Sequence, residues 1–302
     1  MMANSGQRYH RSDNAEAYRQ NASFVYSPAY TSPVLGLLDA KAGERILDLG
    51  CGSGELTLDV ARLISRPEQA ATAAGHVLGI DASADMIDKA TRLRDAAAAA
   101  AAAAAAQQGD PDGLGDRVKF RVLDGHELAT GLGHDLEGTF DKVFSNAALH
   151  WMKASPSQVI RGVRTALKRG GVFAAEMGGF LNCIGIRALL HQSCRRRGVD
   201  PDAVDPWFFP TAEQYSALLI EGGFEVRHCE LVPRLTALPP SSGLRGWLST
   251  FAGPFLNAFD DEGTRGAVLD EVEAALRPDC YDAAEDRWSI MYVRLRIRAV
   301  AV

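Results

Sequence analysis

The sequence predicts an α/β protein: one domain over 1–302 holding a mostly parallel sheet of seven strands, its last strand antiparallel, with helical cap insertions. Three observations predict it. Apolar runs of strand length recur at 45–48, 76–80, 118–123, 140–145 and 172–175 with helix-period stretches between them, as a parallel sheet with crossover helices requires. Each run closes on a polar residue, Asp48, Asp81, Asp124, Asn146 or Glu176, so five polar caps should share the sheet edge outside which such folds bind ligands. Residues 290–298 alternate strictly between apolar and polar, which marks an antiparallel strand at the sheet's edge.

In chain order, residues 14–38 form a helical preamble, with Tyr18, Phe24, Val25, Tyr26 and Tyr30 ahead of an apolar helix over 33–38. The first strand runs into Gly50-Cys51-Gly52-Ser53-Gly54, after which Leu56, Val60, Leu63 and Ile64 recur at helical spacing: strand, tight turn, helix. Glycine permits positive φ and lets a ligand approach where a Cβ would stand, and the first-turn amides of the helix face the ligand's negative end. A dinucleotide loop needs G-x-G-x-x-G and a phosphate loop needs Lys-Ser or Lys-Thr. Here Glu55 occupies the third glycine's place and neither pair follows, which disfavours NAD and ATP.

Residues 65–75 read as a surface insertion. The second strand then ends on Asp81, where a carboxylate can accept both hydroxyls of a ribose. Ser83 is a natural N-cap for a helix through Asp85, Met86, Ile87 and Ala90, which runs into eleven consecutive alanines over 96–106. Alanine favours helix but buries little, so the tract reads as an exposed extension. At 1.5 Å per residue it spans only about half of a ~30 Å bilayer core.

The third strand leads into Asp124-Gly125-His126 and the fourth into Asn146-Ala147-Ala148-Leu149-His150-Trp151-Met152. Ile160, Val163, Ala166 and Leu167 mark a helix face, ended by Lys168-Arg169-Gly170-Gly171. After the fifth strand comes a segment the bare fold does not need, 178–210, with Arg187, His191, Arg195 to Arg197 and Trp207-Phe208-Phe209-Pro210. A capped helix over 211–219 and a sixth strand over 224–231 return the chain to the sheet. A second elaboration within 233–287 precedes the last strand.

With 47% apolar and 23% charged residues, the 302-residue chain can bury a large core, and a net charge of -6 argues against a nucleic-acid or anionic-membrane surface. Five scattered cysteines without a C-x-x-C pair point to a reduced, cytoplasmic setting. No signal peptide or span is expected, and no His or Cys cluster has metal-ligand spacing.

The motifs "LDLGCGSGE", "LGIDASADMI", "VLDGHEL", "FSNAALHWM" and "LKRGGVFAAEMGG" together resemble the Rossmann-like class I S-adenosylmethionine-dependent methyltransferases over roughly residues 15 to 300, and "NAALHWM" resembles their trans-aconitate 2-methyltransferase-like, small-molecule branch. The resemblance implies S-adenosylmethionine as cofactor, S-adenosylhomocysteine as product, and a helical lid over 1–40 on a cofactor core over 41–177. It implies cofactor contacts from Asp48, Gly50, Cys51, Gly52, Gly54, Asp81, Ala82, Met86, Asp124, Gly125, His126, Asn146 and Ala147, with Asp124 on the adenine amine and Asn146 and Ala147 toward the methionyl end. Met86 and His126 are equally readable as packing residues. Tyr9 and Tyr18 are candidates on the lid, and Trp151, Met177, Arg187 and Trp207 are candidates for the acceptor.

The sulfonium already activates its methyl, so no fixed catalytic dyad is required. A carboxylate acceptor would need no general base and would be held by Arg or Lys; for an amine, hydroxyl or carbon, His150 is the base to test. The alternatives are a natural-product N-, O- or C-methyltransferase and a cofactor-binding regulatory subunit without turnover. The acceptor and the oligomeric state are not legible at this level.

Overall fold

A computed structural model of the chain describes residues 28–65, 75–105 and 114–302. The strands are β1 (Arg45–Leu49), β2 (His76–Asp81), β3 (Val118–Val122), β4 (Phe140–Asn146), β5 (Leu167–Gly178), β6 (Phe224–Ala237), β7 (Tyr281–Asp282) and β8 (Arg287–Ala301). Seven of them form the continuous path β3-β2-β1-β4-β5-β8-β6, and the two-residue β7 pairs with β8 beside it. Strands β1 to β5 are mutually parallel, whereas β8 is antiparallel to both neighbours.

The last strand is therefore antiparallel as expected but is not the edge. It is inserted between β5 and β6, with Glu176 opposite Arg296 on one side and Glu230 opposite Arg296 on the other. Its alternation reflects two differently filled faces: Leu295, Ile297 and Ala299 are fully buried, and the intervening arginines reach partners at the opposite face. β6 forms the edge, and it runs to Ala237, six residues beyond its expected end. Lys168 to Gly171 belong to β5, because the helix stops at Ala166 and Leu167 already pairs with Phe140 before a bulge.

Each face of the sheet carries its own apolar layer. On one, Ile46, Phe144 and Ala174 pack under helices Pro28–Leu38 and Glu55–Ile64; on the other, Leu47, Val143, Phe173 and Leu295 pack under Pro156–Ala166 and Ala212–Glu221. The expected cap on the latter helix is a capping box, closed by Thr211 and Gln214. The Pro28–Leu38 helix is docked rather than loose: Val34 and Leu38 are fully buried, and Arg298 Nε donates to Leu37 O at 3.1 Å. The remainder of the expected lid, with Tyr9 and Tyr18, lies outside the described residues, as do most of the 65–75 insertion and Ala106. The alanine tract continues the Ala84–Ala105 helix.

The two cap segments share one further hydrophobic cluster, in which Ile186, Leu190 and Trp207 from the first meet Trp247, Phe255 and Val272 from the second over Ile290 and Tyr292 of β8. Trp207 is its hub, with ring centroids of Phe209, Phe255, Trp151 and Trp247 between 5.5 and 6.2 Å away. Such contacts add to area burial, so the cap is fixed by aromatic packing. Among the described residues no helix is long and apolar enough to cross a membrane.

Candidate active site

A cavity of about 430 Å³ opens at the carboxyl ends of β1 to β4, within the size range of small-molecule sites. From the glycine turn it is lined by Asp48, Gly50, Cys51 and Gly52. The turn's first amides, of Gly50 and Cys51, both donate to Ile80 O at 2.8 and 2.9 Å, which ties the turn to β2 instead of presenting those amides to a ligand. Gly50, at φ 76°, is required because a Cβ there would stand 2.2 Å from the Ala148 Cβ in the β4 loop. Gly54 does not line the cavity: at φ 88° its Cβ would strike Ala90 and Phe120, so it serves packing, a correction to its expected cofactor role.

Asp81, Ala82 and Met86 form the β2 side of the cavity. Asp81 Oδ2 accepts from Gly52 N at 3.0 Å and Oδ1 from Ser83 N at 2.9 Å, so both oxygens are fixed and each retains lone-pair capacity toward the cavity. From β3 come Asp124, Gly125 and His126. Asp124 Oδ1 accepts from His126 N at 2.9 Å and pairs with His126 Nδ1 at 2.8 Å; this bond holds the Asp124 carboxyl below its usual range and raises the His126 imidazole. Asn146 and Ala147 complete the floor, Ala147 at φ 57°. Beneath it Asp48 is 2% exposed with one bond, from Thr57 Oγ1 at 2.7 Å; burial, with Asp81 nearby, pushes its pKa up to about 7.

A smaller chamber of about 50 Å³ adjoins this cavity, and Asn146, Ala147 and Trp151 line both. Its other walls include His150, Glu176, Asn182, Trp207, Arg234 and Arg294, with Tyr30 from the N-terminal helix. Glu176 sits among three arginines: Oε1 accepts from Arg294 Nε at 3.1 Å, Oε2 from Arg296 Nε at 2.8 Å, and Arg234 Nη1 lies 3.6 Å away.

The other site expectations divide here. Trp151 and Trp207 line the chamber, but Met177 does not: one residue beyond Glu176 on β5, it points to the opposite face and is fully buried among core residues. Arg187 lines neither cavity. Its Nε donates to Asp205 Oδ2 at 2.6 Å, and its guanidinium covers the Phe209 ring. Asp205, with its side chain 1% exposed, also pairs with His191 Nε2 at 2.8 Å and accepts from Trp207 N at 2.9 Å. It borders the larger cavity two residues before Trp207 enters the chamber, so one carboxylate sets both walls. His150 is 8% exposed, and its Nδ1 accepts from Gly178 N at 3.3 Å, which assigns the proton to Nε2. Burial, reinforced by Arg294, holds its pKa well below the usual histidine range. A ring whose lone pair is engaged and whose protonation is disfavoured is unsuited to the general-base role.

Glu176 is expected at the ligand edge only as a strand cap, and the sequence gives no sign of Arg234, Arg294, Trp247 or Asp205 as site residues. The arginines come from antiparallel strands that follow the recognisable motifs by fifty residues or more, and the period-two pattern that revealed β8 as a strand also reads them as solvent-facing. Among the described residues no group of three or more His, Cys, Asp or Glu could hold a metal.

Asp48, Asp81, Asp124 and Asn146, at the ends of β1 to β4, line this one cavity together with the glycine turn. Residues 40–195 match a family model described as a methyltransferase domain. The chain is 32% identical over 295 residues to an uncharacterized methyltransferase of Schizosaccharomyces pombe, covering 95% of this chain and 96% of that one. It is 30% identical over 164 residues to a trans-aconitate 2-methyltransferase of Deinococcus radiodurans, covering 54% of this chain and 48% of the relative. Among solved structures, a Haemonchus contortus phosphoethanolamine N-methyltransferase with S-adenosylhomocysteine bound superposes with a TM-score of 0.51 at 17% identity, covering 99% of this chain and 60% of that one. The chain belongs to the methyltransferase domain family and is a class I S-adenosylmethionine-dependent methyltransferase.

Proposed function

We propose that the enzyme methylates a small-molecule carboxylate, with the adenosyl and methionyl parts of S-adenosylmethionine in the larger cavity and the acceptor in the aromatic chamber. The observation that carries this is the charge of the chamber: Arg234 and Arg294 line it with a single carboxylate, Glu176, and Arg296 adds a further positive charge behind Glu176. Such a wall favours an anion and opposes an ammonium acceptor. The relatives do not decide the matter, since one acts on trans-aconitate and another on phosphoethanolamine by name.

Asp81 and Asp124 suit the ribose and adenine ends, being fixed acceptors at the ends of β2 and β3. When bound, the cofactor supplies a methyl on a positively charged sulfur. The chain's part is then to hold a nucleophilic oxygen in line and keep water out. Arg234 and Arg294 orient the acceptor, and Trp151, shared by the two cavities, walls the junction. A carboxylate is ionised at neutral pH, so the unsuitability of His150 as a base is no obstacle.

Incubation with methyl-labelled cofactor and a panel of small acids and amines tests this reading. Label appearing in base-labile methyl esters is expected; label appearing only in methylated amines would refute it. The cytoplasmic setting suggested by the free cysteines stands as part of the same proposal.

A further inference from the structure

We infer that His126 is a positioning residue: it turns one fixed oxygen of Asp124 toward the cofactor's base and so makes the site prefer a 6-aminopurine over a 6-oxopurine. The inference rests on the reading that Asp124 meets the adenine end, and deepens it. Asp124 opens the short turn Gly125–Glu127, and its Oδ1 accepts twice from His126, from the main-chain N at 2.9 Å and from ring Nδ1 at 2.8 Å. An ionised carboxylate only accepts, and the imidazole holds this one below its usual range, so Nδ1 carries the proton of that bond. With both donors on Oδ1, Oδ2 has no bond from the described residues and is the oxygen left to the cavity that Asp124 lines.

Neither ring nitrogen of His126 is free for the ligand, although the residue borders the cavity. Nδ1 is bound to Asp124, and Nε2 is buried by the protein itself, with the Met152 main chain beside it. The turn has little slack: a Cβ on Gly125 would stand 2.8 Å from Met152 Sδ. A main-chain donor alone would let the carboxyl rock about its Cβ–Cγ bond, a torsion with broad minima; a second donor on the same oxygen fixes its plane. The consequence is selective. A fixed acceptor at Oδ2 rewards an exocyclic amine and meets a 6-oxo group acceptor to acceptor, a mismatch that a site built around one hydrogen bond rejects.

Calorimetric titration of the full chain with S-adenosylhomocysteine and with S-inosylhomocysteine, its 6-oxo counterpart, tests this. The wild type should prefer the amine by at least about tenfold. Asp124→Asn should reverse that preference, because the two His126 donors hold the amide oxygen and leave its NH2 facing the base. His126→Leu should shrink the wild-type preference at least about fivefold through weaker binding of the amine, whereas His126→Asn, whose Nδ2 replaces ring Nδ1, should hold it within about twofold. A ratio unchanged in His126→Leu, with both ligands weakened alike or neither, would overturn the role of His126 and leave the adenine reading standing, and so would failure of His126→Asn to restore the ratio. Should His126→Leu not fold, Asp124→Asn decides: a preference reduced but not reversed would mean that the carboxyl is not held as inferred. A ratio that Asp124→Asn leaves unchanged would overturn both.

Discussion

Asp81→Ala removes the acid proposed to hold the cofactor's ribose. In the wild type, Gly52 N and Ser83 N each donate to one carboxylate oxygen, at 3.0 and 2.9 Å, leaving both oxygens able to accept from a ribose. A hydrogen bond to a charged group contributes about 1.5–3 kcal/mol, and Asp81 is partly exposed, so two ribose bonds at the lower end come to about 3 kcal/mol. That corresponds to a loss of roughly a hundredfold in affinity, and at least about tenfold after water has taken their place. Asp81→Asn should not rescue it, because an amide can accept from only one of the two backbone donors and opposes the other with its own N–H. Calorimetric titration of S-adenosylhomocysteine into the folded variants is the assay. Unchanged affinity in a folded Asp81→Ala protein would remove this carboxylate from the cofactor's site.

Three further outcomes follow from the same geometry. Asp48, raised from an ordinary 3.8 to about 7, keeps its proton in the folded state while the unfolded chain loses it, so its contribution to stability should decline as pH rises from about 4 to about 7, by up to ~4 kcal/mol, and then level off; parallel melting-versus-pH curves for wild type and Asp48→Asn would contradict this. Asp205→Asn should lower acceptor turnover more than cofactor affinity and cost about 2 kcal/mol of stability, because the amide cannot accept from Arg187, His191 and Trp207 together, while Arg187→Ala should have a weaker effect of the same kind; equal loss of cofactor affinity and turnover would argue against a link through the Trp207 wall. Removing residues 99–103 from the alanine helix should leave turnover within a few-fold, since mostly exposed methyl side chains bury little area, and a large loss in a folded deletion would show that the helix meets a ligand or partner.

What the sequence determined by itself is the part of the molecule in which each function is local. Strand, turn and helix are written in consecutive residues, so the ends of β1 to β4 and their polar caps were legible: Asp48, Asp81, Asp124 and Asn146 all reach one cavity. Asp81, thirty-three residues after Asp48, joins it because parallel neighbours in register carry their ends to the same edge. Tertiary structure decided what depends on strand order. Inserting β8 between β5 and β6 brings Arg294 and Arg296 beside Glu176, residues more than a hundred positions away in sequence, and the β6 edge adds Arg234. It also decided between adjacent residues on one strand, sending Glu176 to the chamber and Met177 into the core, and it turned Arg187 from a ligand contact into the support of Asp205. Periodicity fixes that two faces differ, but only packing assigns which face meets solvent, core or cavity, and the proposed acceptor chamber is built from such assignments.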